Sequence, residues 1–548
     1  MIEQAPRARR WIALAVSASS LALAGIGVPA SAQAADADTP PVPVLTWTGC
    51  GDEFQCTTAQ VPLDYARPQG PTISLALVRL PAGDPAHRLG SLLVNPGGPG
   101  GSGFTLVRVG GLGFPPELRA RFDLVGFDPR GVGLSTPVRC FASQAEQQAF
   151  FASRPPFPTT ETEDATFIRG AADFDVRCQQ RNGALLPHMS TANAARDMDL
   201  LREALGDAGL SYLGVSYGTY LGATYANLFP SRVRALVLDG AVEPVEWATG
   251  RDGEGSRQPV FLRLKSDLGA SRTLGAFLDL CAAARPAACQ FAAGSDREAT
   301  TDRFQGLMAR LKQQPIAVQT SQGTQEVTYA LTVNVVNVLL YLESLWPLLS
   351  AVLQRLDQGD GSLLLEVVGL LAPPSPEYDN TREAQLAVIC ADADSPRDAY
   401  AWPDLAAAAD RRAPYFGAYW AWSTVECAGW PARDAGRYTG PFDRRTAGPI
   451  LVVGNTFDPA TRYQSAVALS RELGNARLLT LDGWGHTAFS QPSECARTAE
   501  IRYLVDLQLP APGAVCRPDF GPFDQPVPAA AAPSAAAMNR LMPTLPLR

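Results

Sequence analysis

Ser216 stands between two glycines in Gly214-Val-Ser216-Tyr-Gly218, the one Gly-x-Ser-x-Gly of the chain. So short a pattern arises by chance in a glycine-rich sequence, and its meaning depends on what flanks it. Upstream, "LSYLGV" is an apolar run of strand type. Downstream, "YLGATYANLFP" places small residues where a helix must pack closely on a sheet. Strand, sharp turn and helix make a nucleophile elbow, which lifts a serine hydroxyl clear of the backbone at a helix N-terminus.

A serine hydroxyl needs a base, and the base needs a carboxylate to orient it. Where a serine follows such an elbow the chain order is Ser, then Asp or Glu, then His. Of the three histidines, His87 and His188 precede Ser216 and lie in the loops "DPAHRLG" and "LLPHMST". His486, in "LDGWGHTAF" just past a strand end, is the base by elimination. Asp458 in "PILVVGNTFDPAT" follows the preceding strand, one α/β unit before His486, and is the expected acid. Asp239 in "LVLDG" is its competitor, while Asp482 is too close to His486 in sequence and reads as a turn residue. The tetrahedral intermediate also needs two fixed N–H donors. The almost side-chain-free "LLVNPGGPGGSG" offers backbone there, and the expected oxyanion hole is the N–H of Gly98 with that of Tyr217. The loop lacks the lysine and spacing of a phosphate-binding loop.

These residues must be carried by strands buried on both faces. Candidate strands are 72–80, 91–95, 122–128, 210–215, 234–240, 449–455 and 476–483, alternating with helical patterns, which predicts an α/β fold with a mostly parallel sheet. The rhythm breaks between 243 and 446, where helical patterns and Pro-rich joints predict a helical lid. The expected organisation is a signal peptide over 1–34, core over 35–242, lid over 243–446, core over 447–516 and a Pro/Ala-rich tail over 517–548.

The leader follows three-part secretory physics: Arg7, Arg9 and Arg10, an apolar stretch to Val28, then Ala-x-Ala in "ASAQA". The long apolar region "LTVNVVNVLLYLESLWPLLSAVL" is interrupted by Asn334, Asn337 and Glu343, so it reads as a buried amphipathic helix and not a membrane span. Ten cysteines, an even number in an exported chain, predict disulfides. They fall into five near-neighbour pairs: Cys50–Cys56, Cys140–Cys178, Cys281–Cys289, Cys390–Cys427 and Cys495–Cys516. With no Cys-x-x-Cys and three histidines, a zinc site is not expected, and no cofactor is required. A net charge of −8 without a Lys/Arg-rich patch gives no reason to expect nucleic acid. The mature chain is expected to be exported to the periplasm or medium, free of stable membrane insertion, and monomeric.

Together "NPGGPGGSG", "FDPRGVGLS", "YLGVSYGTYLGATYANLFP", "GNTFDPAT" and "GWGHT" resemble the α/β-hydrolase peptidases, and most the secreted bacterial tripeptidyl aminopeptidases related to proline iminopeptidases. The likeness runs from about Thr48 to Cys516. It implies an α/β-hydrolase fold with a lid, a triad of Ser216, Asp458 and His486, and release of short peptides from free N-termini. Asn95 departs from the iminopeptidases proper, which have histidine there.

An aminopeptidase must also hold the substrate ammonium, for which a lid carboxylate is the natural partner. Glu243 and Asp392 are favoured over Glu246, Asp394 and Glu426. Thr461 could support the acid loop, and Tyr415, Tyr419, Trp422 and Trp430 could line the pocket. An exported carboxylesterase or lipase could use the same triad, and a catalytically silent binding protein would need a broken one. Fold alone does not separate these readings.

Overall fold

A computed structural model describes residues 39–321, 323–371 and 377–524. The leader and most of the tail lie outside the described residues, whereas 517–524 lie within them.

Ten strands form one sheet in the order β1-β2-β3-β5-β4-β6-β7-β10-β11-β12. β1 (Thr48–Gly49), β2 (Gln55–Pro62) and β3 (Thr72–Leu80) pair antiparallel at one edge. β4 (Gly90–Asn95), β5 (Phe122–Phe127), β6 (Leu210–Val215) and β7 (Val233–Asp239) run parallel to one another. A two-stranded hairpin, β8 (Ile316–Thr320) with β9 (Gly323–Val327), stands apart. β10 (Ile450–Phe457), β11 (Ala476–Trp484) and β12 (Val515–Cys516) then extend the parallel sheet. All seven expected strands are present. β4 and β5 are buried at every position, as apolar runs covered on both faces should be.

Parallel strands order the chemistry. Ser216, Asp239 and Asp458 each follow or close a strand at its C-terminal end, and His486 lies two residues past β11, so one sheet edge collects all four. This is the edge where ligands bind in parallel α/β sheets.

Between β7 and β10 the chain is mainly helical and builds its own apolar core around Phe277, Leu349, Trp346 and Trp402. Phe157, Phe167 and Ile168, from the segment between β5 and β6, join that core, and so does Phe523 from the start of the tail. The cover over the sheet therefore draws on residues well before 243 and after 446. The long apolar region is two helices, Tyr329–Leu339 and Trp346–Asp357, and not the single helix expected. The break lies at Leu340–Leu345, and Pro347 suits the first turn of the second helix, where its missing N–H costs nothing. No helix among the described residues is long and apolar enough to cross a membrane. The ten cysteines form five bridges, Cys50–Cys56, Cys140–Cys178, Cys281–Cys289, Cys390–Cys427 and Cys495–Cys516.

Candidate active site

Ser216 takes φ 56° and ψ −127° at the join between β6 and the helix Tyr217–Leu228, a strained conformation for a residue with a side chain. Backbone bonds hold it there. Its N–H donates to the carbonyl of Asp239 at 2.8 Å, and its own carbonyl accepts from the N–H and hydroxyl of Thr219. The flanking glycines are steric requirements. A β-carbon on Gly214 would stand 2.4 Å from the Gly218 carbonyl oxygen, and one on Gly218 would stand 2.9 Å from that of Asn95.

Across the sheet edge, Nδ1 of His486 lies 2.9 Å from each carboxylate oxygen of Asp458. Asp458 is buried, and it also accepts the N–H groups of Ala460, Thr461 and Thr487 and the hydroxyl of Thr461. Thr461 thus braces the acid loop; the N-cap position of the following helix falls to Arg462, which makes no side-chain cap. The imidazole is positioned from the lid as well. The His486 backbone N–H donates to the Tyr341 carbonyl at 2.7 Å, and the two rings meet edge-on with centroids 4.8 Å apart.

Asp239, the rival acid, makes no hydrogen bond to the imidazole among the described residues. It accepts the backbone N–H of Ala488 at 2.9 Å and of Phe489 at 2.7 Å, and burial pushes its carboxyl up to about 6. It therefore grips the histidine loop from behind. Gly240 completes the junction, since a β-carbon there would lie 3.4 Å from Cε1 of His486. The elbow and the histidine loop meet around Asp239 and Gly240. Thr456 donates to Asp482, which sits at the exposed end of β11. His87 pairs with Asp84 on the surface, and the His188 carbonyl accepts from Arg130.

The glycine loop abuts the elbow. A β-carbon on Gly97 would collide with the Val215 carbonyl at 2.5 Å and stand 3.0 Å from the Tyr217 nitrogen. Gly97 donates its N–H to Oδ1 of Asn95 at 3.0 Å, so Asn95 ties the loop down and Gly98 is the next donor along it. Asp128 secures the far side by accepting the Ser102 hydroxyl and the N–H groups of Phe104 and Leu134. Arg130 is buried on Asp197, with Nε and Nη2 at 2.8 and 2.6 Å from its oxygens. These scaffold roles of "FDPRGVGLS" are tertiary and had no separate signal in the sequence.

The two carboxylates favoured for the substrate ammonium are both occupied by internal donors. Glu243 caps the helix Pro244–Ala248 through the Glu246 N–H and binds Arg251 at 2.7 Å, and burial beside Glu472 pushes it up to about 8. Asp392 accepts the Thr191 N–H and hydroxyl and the Trp247 indole N–H, and burial pushes it up to about 7. A carboxylate saturated in this way has little left for a ligand. Glu246 and Asp394 pair with Arg251 and with Arg433 and Arg437.

Glu426 differs. It is buried and its Oε2 accepts no hydrogen bond among the described residues, while Arg382 and Arg154 stand off at 3.7 and 4.0 Å. Arg382 belongs to the helix Thr381–Asp392, whose first turn touches the glycine loop: a β-carbon on Gly100 would lie 2.5 Å from the Thr381 carbonyl oxygen. Trp422 packs on Phe167 and Trp430 on Phe174, so both are core as much as lining, while Tyr419 meets Asn337 and Tyr415 packs on Phe304.

The strand order, elbow, acid loop and histidine loop define a serine hydrolase of the α/β-hydrolase fold. Comparison with known proteins agrees: residues 90–334 match the model of the alpha/beta hydrolase fold and residues 413–516 that of TAP-like proteins. The serine protease Hip1 of Mycobacterium tuberculosis is 32% identical over 481 residues, covering 84% of this chain and 87% of its own. The tripeptidyl aminopeptidase of Streptomyces lividans is 31% identical over 507 residues, covering 87% of both. A Mycobacterium tuberculosis carboxylesterase B is 34% identical over 483 residues, covering 85% of this chain and 86% of its own. The chain belongs to the tripeptidyl aminopeptidase family.

Proposed function

We propose that this protein is an exported serine aminopeptidase that releases short peptides, tripeptides first among them, from free N-termini. Its strongest support is the Asp458–His486 pair at 2.9 Å beside a serine held at positive φ. Ser216 Oγ attacks the scissile carbonyl carbon while its proton passes to Nε2 of His486. Asp458 holds the imidazole in the required tautomer and stabilises the cation that forms. The N–H groups of Gly98 and Tyr217 receive the oxyanion. Collapse breaks the C–N bond, the leaving amine takes the proton from His486, and an acyl-enzyme remains on Ser216. Water, deprotonated by His486, then attacks that ester; the C–Oγ bond breaks as His486 returns the proton to Ser216, and the N-terminal peptide is freed.

Glu426 is the proposed partner of the substrate ammonium. Of the three fully buried candidates, Glu243, Asp392 and Glu426, it is the one with an oxygen that accepts no hydrogen bond among the described residues. Glu246 Oε2 also accepts none, but Glu246 is only half-buried and pairs with Arg251, and the Glu426 segment adjoins the helix that touches the glycine loop. Release of three residues is supported by the name of the Streptomyces relative, and export by the leader and the five bridges. The carboxylesterase relative favours a second reading, ester hydrolysis by the same triad.

A panel of Xaa-, Xaa-Xaa- and Xaa-Xaa-Xaa-linked chromogenic amides with matched simple esters separates the two. The tripeptidyl amide should give the highest kcat/KM. Ester hydrolysis with no measurable amide cleavage would select the second reading.

A further inference from the structure

We propose that Thr191 and Asp392 form a latch that fixes Tyr217 in register with the glycine loop, making both positioning residues for oxyanion stabilisation. This rests on the reading of Ser216 as nucleophile given above.

Tyr217 is the first residue of its helix, so its N–H has no acceptor within the helix and points ahead of the N-terminus. Its side chain is anchored unusually well. The hydroxyl bonds Oγ1 of Thr191, and the ring packs on Trp247 with centroids 5.4 Å apart. The Thr191 hydroxyl donates to Oδ2 of Asp392 at 2.5 Å, so it accepts from Tyr217. The Thr191 N–H takes the other oxygen, Oδ1, at 2.8 Å, and the Trp247 indole N–H reaches Oδ2 at 3.4 Å. All four residues are buried, so none of these bonds competes with bulk water.

The latch spans two parts of the chain. Asp392 ends the lid helix Thr381–Asp392, whose start presses on Gly100. One helix therefore touches the glycine loop at one end and the Tyr217 anchor at the other. Gly97 packs against the Tyr217 nitrogen, but the loop and Tyr217 also line a small cavity with Asn95, Met189 and Val388, so the latch, rather than close packing against the loop, holds the Tyr217 side chain on that side. An oxyanion donor displaced by a fraction of an ångström loses much of its effect, because its value depends on being fixed in advance.

The test compares Thr191→Val, Thr191→Ser and Tyr217→Phe on a tripeptidyl chromogenic amide, together with the affinity of a tripeptidyl boronic acid that mimics the tetrahedral oxyanion. Thr191→Val and Tyr217→Phe should each lower kcat about ten- to a hundredfold with KM within about twofold, and weaken the boronate in proportion. Thr191→Ser keeps the hydroxyl and should stay near the parent. The double variant should be no worse than either single one, since both break the same chain. Parent-like kcat in Tyr217→Phe, which keeps the ring and removes only the hydroxyl, would overturn the latch, even if Thr191→Val fails to fold. So would a kcat loss without weaker boronate binding. Absence of fluorophosphonate labelling at Ser216 in the parent would instead overturn the underlying nucleophile assignment.

Discussion

The carboxylate of Asp239 accepts the backbone N–H of Phe489 at 2.7 Å, gripping the loop that carries His486, while the imidazole hydrogen-bonds Asp458. Two buried aspartates thus share one histidine. Asp458 holds its ring, and Asp239 holds the backbone beyond it.

That division predicts unequal costs. Asp458→Asn leaves the imidazole facing an amide, favours the wrong tautomer, and should lower kcat by about three to four orders of magnitude with little change in fold. Asp239→Asn should act mainly on stability, losing roughly 1–3 kcal/mol as one loop N–H goes unpaired. Steady-state kinetics and thermal melts on both variants check this. A larger kcat loss for Asp239→Asn would make Asp239 the triad acid.

Glu343 gives a pH prediction. It is 1% exposed, and neither carboxylate oxygen has a hydrogen-bond partner among the described residues. Burial, with repulsion from Asp519, pushes it up to about 8 from an ordinary 4.5. Its folded value lies above its unfolded one, so its favourable contribution is complete below the unfolded value and is lost as pH rises through the folded one. At pH 7 the folded chain still holds this proton while the unfolded chain has released it, which lowers stability by on the order of 3 kcal/mol. Glu343→Gln should therefore melt higher than the parent at pH 7–8, with the gap closing near pH 4. Parallel melting curves across that range would contradict the burial argument.

Cys390–Cys427 ties the end of the Asp392 helix to the turn that carries Glu426. Replacing both cysteines by alanine should cost about 2–4 kcal/mol of stability. It should also lower kcat/KM for tripeptidyl amides more than it lowers simple-ester hydrolysis. Equal losses on the two substrates would mean that the bridge supports the lid in general and not the amine site.

Much of this was legible in the sequence because the signals were local. The strand–Ser216–helix order, the acid loop before one α/β unit and the single histidine after it lie in continuous stretches. The strand β2, next to the short edge strand β1, was missed because "QCTTAQVP" carries polar residues on a half-covered strand and lacks the apolar run of its buried neighbours. The part played by Phe157 and Phe167 in the lid core is a contact between segments remote in sequence, and periodicity does not record it. Which lid carboxylate has an oxygen to spare was not legible for the same reason. Whether Glu243, Asp392 or Glu426 has an oxygen to spare depends on Arg251, Thr191 and Trp247, which reach them only in the folded chain.

On the proposed reading, the free amine of a peptide contributes binding energy through Glu426. The most direct measurement is kcat/KM for a tripeptidyl amide and its N-acetyl derivative, on the parent and on Glu426→Gln. A charge-assisted bond of about 1.5–3 kcal/mol predicts that acetylation lowers kcat/KM in the parent by roughly ten- to a hundredfold or more. In Glu426→Gln that ratio should fall most of the way to one, because the free-amine substrate loses its partner while the acetylated one has none to lose. Equal cleavage of free and acetylated peptides by the parent would contradict the aminopeptidase account, and an undiminished preference in Glu426→Gln would contradict the role of Glu426.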